Sequence, residues 1–236
     1  MIITHIVESG AQQLGICLTP GACALFEKYH ALLEQKNEII NLTAVKGMEN
    51  VAYLHFLDSL ALLKAVDFKN AKVIDVGSGA GFPGVPLKLA EPSIDLTLID
   101  ATGKRIAFLS ELCAKIGIEA ACIHARAEES AHAPDMRERF DIAVSRAVAR
   151  LNVLCELCLP FVCVGGLFLA MKGIDSAEEI EEARNAIQTL GAELTDTNDY
   201  TIPGTDITHR VISIRKTTTT PDEYPRRFSK IKKSPL

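Results

Sequence analysis

Residues 72–84 read KVIDVGSGAGFPG, and the order of residue types in this stretch decides the architecture. A β-branched run carries Asp75 near its end, alternating glycines follow at Gly77, Gly79 and Gly81, and Gly84 opens an apolar stretch over 85–90. Glycines at this spacing let the chain turn tightly and bring bare backbone close to whatever lies beyond the strand, so the pattern reads as strand, turn and helix. The alternation continues towards the C-terminus. Strand-like runs at 94–100, 119–124, 140–145 and 166–172 are separated by helical periodicity at 104–116, which Gly117 is placed to stop, and at 151–159, which ends near Pro160. Such a series makes an α/β protein with a mostly parallel sheet covered on both faces. Beyond it, 176–190 is predicted as one helix with an acidic face. The runs 192–202 and 207–216 are joined only by PGTD, a link short enough to require an antiparallel C-terminal pair and to complete a seven-stranded sheet. Towards the N-terminus, residues 9–67 repeat apolar side chains three and four apart and are predicted helical. The expected division is a helical extension over 1–70, an α/β domain over 71–217, and a basic, loosely ordered tail over 218–236.

The composition fits this reading. At 236 residues, 48% hydrophobic and 23% charged, the chain is long enough for a sizeable core, which excludes disorder and fibrous repeats. No apolar run approaches the roughly 18 residues of a membrane span, and the first residues lack a basic segment followed by an apolar one, so a cytoplasmic protein with no membrane partner is expected. Seven cysteines, mostly inside apolar runs, suit a reducing compartment. Charge is uneven: from Pro203 onward eight Lys and Arg face three acids, a net of +5, so residues 1–202 carry −10 of a total of −5. Attraction to any polyanion must therefore be local.

Ligands of open α/β sheets bind outside the carboxyl ends of the strands. Five consecutive strand ends carry charge there: Asp75, Asp100, Arg126 with Glu128, Arg146, and Lys172. Asp100, 23 residues after Gly77, stands where a carboxylate accepts both hydroxyls of a ribose, which makes the site one for a nucleoside. Gly79-Ala-Gly81-Phe-Pro-Gly84 also satisfies the dinucleotide pattern GxGxxG. Asp75 is unhelpful beside a pyrophosphate but favourable near the amino group or sulfonium of S-adenosylmethionine, and Pro83 removes an N–H that a phosphate would use. The residues favour S-adenosylmethionine, with a nicotinamide or flavin cofactor and a purely structural glycine turn as alternatives. His55, Asp58 and Ser59 have the residue types of a hydrolase triad but lie on one helix, and are read as polar contacts that pack the extension or border the site. Cys155 and Cys158 form a CxxC without a second ligand pair and read as core.

The runs DVGSGAGFPG (75–84), KRIAFL (104–109), RAE (126–128), SRAVA (145–149), MKG (171–173) and the terminal YPR and KKSPL, with NLTAV (41–45) and HFLDSL (55–60) upstream, resemble the ribosomal RNA small subunit methyltransferase G family, also called glucose-inhibited division protein B. The resemblance spans about residues 26–236. It implies a class I, Rossmann-like methyltransferase that passes the methyl of S-adenosylmethionine to N7 of one guanosine in 16S rRNA. It also implies that Gly77 and Phe82 contact the cofactor, Asp100 takes the ribose, Ala127 and Glu128 lie along the adenine, and Arg146 faces the reaction centre. Guanine N7 has an in-plane lone pair and no proton, so the transfer needs no general base; positioning can contribute about 7–11 kcal/mol at best. A donor to O6 would hold the base, and Arg146, Lys172 and Arg126 are the candidates. RNA phosphates would be met by Arg210, Arg226, Arg227, Lys230, Lys232 and Lys233, with Tyr224 and Phe228 available to stack on unpaired bases. The expected partner is 16S rRNA, the 30S subunit or its precursor, and the expected state a monomer. The runner-up readings are a methyltransferase acting on another RNA or a small molecule, or an S-adenosylmethionine-binding regulator without turnover.

Overall fold

The computed structural model describes residues 2–146 and 148–236; Ala147, within the SRAVA run, lies outside them. The helical extension begins at once with α1 (Ile2–Gln13). Next comes α2 (Pro20–Ile40), whose first turn is capped by Thr19 accepting from the Ala22 N–H and whose last turn ends on Asn41 in the left-handed region. The predicted helical span is therefore interrupted at 14–19 and 41–47. The chain re-enters helix at α3 (Met48–Val51), passes through a π-helical stretch, Ala52–Leu57, into α4 (Asp58–Leu60), and tightens into a 3-10 turn, Ala61–Lys64.

The sheet contains β1 (Lys72–Val76), β2 (Asp95–Asp100), β3 (Ala120–His124), β4 (Phe140–Arg146), β5 (Val162–Gly173), β6 (Ala192–Thr201) and β7 (Thr208–Lys216). Its order is β3-β2-β1-β4-β5-β7-β6, with β7 antiparallel to both neighbours and the other adjacent pairs parallel. The last two strands pair as expected, but β7 inserts between β5 and β6. Strand β5 starts four residues earlier than the sequence predicts, and its register against β4 shifts between Phe140↔Val162 and Ile142↔Leu167, where Gly165 has φ 91°.

Between the strands lie α5 (Gly84–Ala90), α6 (Gly103–Ile116), α7 (Ala127–Ser130) and α8 (Leu151–Cys158). The predicted helix over 176–190 is two short ones, α9 (Ala177–Glu182) and α10 (Arg184–Thr189), which meet at Ala183. A final helix, α11 (Phe228–Lys233), forms where a loose tail was expected. Side chains alternate across the pleat and divide the core in two. Val73, Leu96, Ile142 and Val144 pack with Phe26, Tyr29 and Phe56 of the extension, whereas Ile74, Val76, Ala143 and Phe168 pack with Leu154, Ile187 and Ile231 on the other face. The tail is seated because its polar groups find partners at long range. Arg226 makes a two-pronged pair with the fully buried Glu156 of α8, and Arg137 donates to the carbonyls of Thr220 and Tyr224.

Candidate active site

A cleft of about 520 Å3 opens at the carboxyl ends of β1 to β4. Its floor is the turn after β1, where Gly77, Gly79 and Gly81 have φ of 76°, 59° and 105°, a region that side-chain-bearing residues avoid. Most N–H groups of the turn are used within the protein. The N–H groups of Gly77 and Ser78 donate to Ile99 O, that of Gly79 to Asp100 Oδ2, those of Gly81 and Phe82 to Ser78 O, and that of Gly84 to Asp75 Oδ2; Pro83 has none. A pyrophosphate, which needs several free donors at this place, is poorly served. The glycine pattern alone could not distinguish this turn from a dinucleotide loop; its hydrogen bonds do.

Asp100 is nearly buried and structured by its own acceptors. Oδ1 takes the Thr102 N–H at 2.8 Å, and Oδ2 takes the Gly79 N–H at 3.0 Å and Arg105 at 3.3 Å. A carboxylate has about four lone-pair sites, so capacity remains for a hydroxyl entering the cleft. Beside it, Ala127 and Glu128 line the cleft at the start of α7, where Glu128 pairs with Arg126 at 3.6 Å. At a Cβ placed on Gly79 the nearest atom outside its immediate neighbours is Gly77 O at 3.8 Å, so the backbone there is bare to a ligand. Bare glycine, a carboxylate with an acceptor position to spare and the apolar surfaces of Ala127 and Leu157 fit the glycine-to-nucleoside span of S-adenosylmethionine.

The opposite wall comes from the extension. His55, in the π-helical stretch, stacks on Phe82 with ring centroids 4.3 Å apart, and Tyr29 stacks on Phe82 at 5.4 Å. Arg146 lies 5.1 Å over the same ring. Its Nη1 donates to Asp58 Oδ2 at 2.7 Å and Leu54 O at 2.9 Å, and its Nη2 lies 2.9 Å from His55 Nδ1. Among the described residues its Nε–H and the second Nη2–H have no partner. Asp58 Oδ1 accepts from Tyr200 Oη at 2.6 Å and His209 Nδ1 at 2.8 Å. Burial raises the Asp58 carboxyl, but His209, Arg146 and Tyr200 together outweigh it and hold the group below the usual range. For His55, burial and then the Arg146 cation push the imidazole down to about 4. It is thus neutral, accepts from Arg146 through Nδ1, and donates from Nε2 to Thr43 Oγ1 at 2.7 Å.

The sequence-predicted residues divide accordingly. Gly77, Gly79, Phe82, Asp100, Arg126, Ala127, Glu128 and Arg146 line one cleft. Asp75 does not: it is fully buried beneath the turn and binds the Gly84 N–H at 2.8 Å, because the β1 pleat points it towards the start of α5 and not at the ligand space. Lys172 lies outside the lining, with Nζ held by Glu179 and Ala149 O. Arg210 is paired with Asp199 and Arg226 with Glu156, so neither is an uncommitted cation for phosphate. Arg227, Lys230, Lys232 and Lys233 are exposed, while Tyr224 is half-buried with Arg226 5.7 Å over its ring. His55 and Asp58, set aside as bordering contacts, frame the wall. Thr43, within NLTAV, Val148, within SRAVA, and Leu157 line the cleft although none of the three is assigned a role from the sequence.

A family model described as rRNA small subunit methyltransferase G matches residues 22–207. The chain is 46% identical over 239 residues to the ribosomal RNA small subunit methyltransferase G of Alkaliphilus oremlandii, with 100% of both chains covered. Among solved structures, the YcgJ protein from Bacillus subtilis is similar with a TM-score of 0.53 at 14% identity, over 70% of this chain and 100% of that one. M. jannaschii TYW2 in complex with AdoMet is similar at 0.50 and 14%, over 67% and 76%. These two share the fold.

Proposed function

Because the chain belongs to the rRNA small subunit methyltransferase G family, we propose that it transfers the methyl group of S-adenosylmethionine to N7 of one guanosine of 16S rRNA. The observation that carries this reading is a single cleft holding a donor-poor glycine turn and Asp100 at one end and the His55–Phe82–Arg146 wall at the other.

S-adenosylmethionine, when bound, supplies an electrophilic methyl on a sulfonium. Gly77, Gly79 and Phe82 would bound its methionine end, Asp100 would take a ribose hydroxyl, and Ala127 and Glu128 would lie along the adenine. Arg146, whose fork is set by Asp58, Leu54 O and His55, turns its two uncommitted N–H groups to O6 of the incoming guanine and leaves N7 free to attack. His55 stays neutral and takes no proton, as a nucleophile without one requires. A methyl transfer from a sulfonium to a neutral purine would shift a positive charge and not create one, so the residues of the site need supply no new counter-ion. Arg126 is a second base-side candidate.

Exposed Arg227, Lys230, Lys232 and Lys233 meet RNA phosphates near the cleft, while the acidic α9 face keeps RNA from the rest of the surface. The enzyme acts as a cytoplasmic monomer on the small subunit or its precursor; among the described residues no helix is long and apolar enough to cross a membrane. Incubation with methyl-labelled S-adenosylmethionine and small-subunit particles or 16S rRNA from a strain lacking the gene, followed by cleavage specific for 7-methylguanosine, tests the reading. One labelled guanosine is expected. Label at another base, or none despite cofactor binding, would overturn it.

A further inference from the structure

The cleft has a wall that none of the strand ends supplies. Phe228, the first residue of α11, lines it together with Ala127, Glu128 and Leu157, although it stands 100 residues beyond Glu128 in the chain. The ring is half-buried, packs with the core on the α8 side, and carries the Arg126 guanidinium 5.7 Å from its centroid. Its position along the cleft follows from the sheet. In the order β3-β2-β1-β4, the end of β4 bears Arg146, that of β2 bears Asp100, and the residues after β3 include Ala127 and Glu128. Strands lie about 4.8 Å apart, so the β3 end is roughly 14 Å from the β4 end. A ligand whose ribose sits at Asp100 places its base one strand further out, which is where Phe228 stands.

Phe228 is also held there firmly. Its neighbour Arg226 binds Glu156 through the backbone N–H at 2.8 Å, Nε at 2.8 Å and Nη2 at 2.6 Å, and Glu156 is fully buried. The next residue of α8, Leu157, itself faces the cleft. His132 Nε2 lies 2.8 Å from Pro225 O, Arg137 donates to Tyr224 O at 2.8 Å, and Ile231 is fully buried. Such anchoring keeps the ring at a fixed distance from Ala127, as a wall of a nucleoside subsite requires.

We propose that Phe228 is a cofactor-binding residue that forms the outer wall of the adenosine subsite, so that the C-terminal segment completes the S-adenosylmethionine site while its lysines face RNA. The proposal rests on the S-adenosylmethionine reading of the cleft. It places a flat ring against a purine, for which an aromatic face is well suited.

The test is equilibrium binding of S-adenosylhomocysteine and of 5′-methylthioadenosine, which lacks the amino-acid end, to the full chain and its variants. Phe228→Ala should weaken both ligands roughly tenfold, Phe228→Leu should weaken them less, and Phe228→Tyr should bind as the parent does. Phe228→Leu, which keeps apolar packing against α8, should keep the parent's melting temperature without ligand and its affinity for 16S rRNA within twofold while still losing nucleoside affinity; a merely structural ring would leave methylthioadenosine binding of Phe228→Leu at the parent value. Parent-like binding of both nucleosides by Phe228→Ala would overturn this proposal alone. Failure of the parent chain to bind either nucleoside would overturn the cofactor reading as well.

Discussion

Asp75, beneath the glycine turn, and His55, in the cleft wall, show how burial sets opposite demands on a carboxyl and an imidazole. Burial pushes the Asp75 carboxyl up to about 7, against the Gly84 N–H and the Arg146 cation, and its Oδ1 has no hydrogen-bond partner. The native state therefore keeps a proton that the unfolded chain has released between about pH 4 and 7, and stability falls as pH rises through that window. His55, held down to about 4, does the reverse: the unfolded chain takes up a proton from about pH 6.5 downward that the native state refuses, so stability falls as pH drops. In the parent the two slopes oppose each other over pH 4–6.5. Asp75→Asn keeps an acceptor for Gly84 and removes one slope; denaturant melts should then show stability rising by roughly 3 kcal/mol from pH 4 to 6.5. A parent profile that already rises as steeply as the variant's would show that the native carboxyl is ionised. At Arg146, a lysine keeps a cation beside Asp58 but loses the planar fork. Arg146→Lys is expected to fold, to bind S-adenosylmethionine within about threefold of the parent, and to lose roughly 100-fold in kcat. Single-turnover kinetics beside a titration of cofactor affinity would separate the two effects.

The decisive elements are turns and irregular helix, not regular strand or helix. The π-helical stretch Ala52–Leu57 widens the helix and delivers His55 onto Phe82, while Asp58, which resumes α-helix directly after it, reaches Arg146. At the glycine turn, a Cβ on Gly77 would meet Val148 Cγ2 at 2.6 Å and would have to adopt φ 76°. Val148 is exposed at the cleft and lines it, so a branched side chain on Gly77 and the Val148 it displaces both crowd the cleft. Gly77→Val is therefore expected to retain its far-ultraviolet circular dichroism and to bind S-adenosylmethionine more than roughly 100-fold weaker; parent-like affinity would detach the turn from the cofactor. Gly117, which ends α6 at φ 73°, has open space around its missing Cβ. Gly117→Ala should cost only backbone strain, about 1 kcal/mol in a denaturant melt, and leave cofactor affinity untouched.

Across the whole molecule, the extension and the tail close the cleft from opposite sides of the sheet. Tyr29, His55 and Phe82 stand on the side that the extension covers, and α8 with the tail covers the other. The Arg226–Glu156 pair is the hinge pin of the second. Glu156→Ala leaves a largely buried guanidinium without its counter-ion and is expected to destabilise the chain by about 3 kcal/mol, read as an earlier denaturation midpoint at unchanged m-value. A melt indistinguishable from the parent's would mean that the tail is not seated through this pair.

The sheet could be read from local chemistry. KVIDVG, the glycines after it, Gly117 behind its helix and the four-residue PGTD link each act through backbone sterics and periodicity over a few residues, and all seven strands form at the predicted runs, β5 alone beginning four residues early. The strand-end positions of Asp100, Arg126 and Arg146 followed from the same signals. Which charges are available could not be read, because that depends on partners far along the chain. Arg146 meets Asp58 across 88 residues, Arg226 meets Glu156 across 70, and His209 meets Asp58 across 151. A run such as RRFSKIKK looks like uniform solvated charge until folding buries one arginine against a carboxylate and one phenylalanine against the cleft. Periodicity is a property of neighbours in sequence, and desolvation is a property of neighbours in space; the second assigned Asp75, Lys172, Arg226 and Phe228 their places.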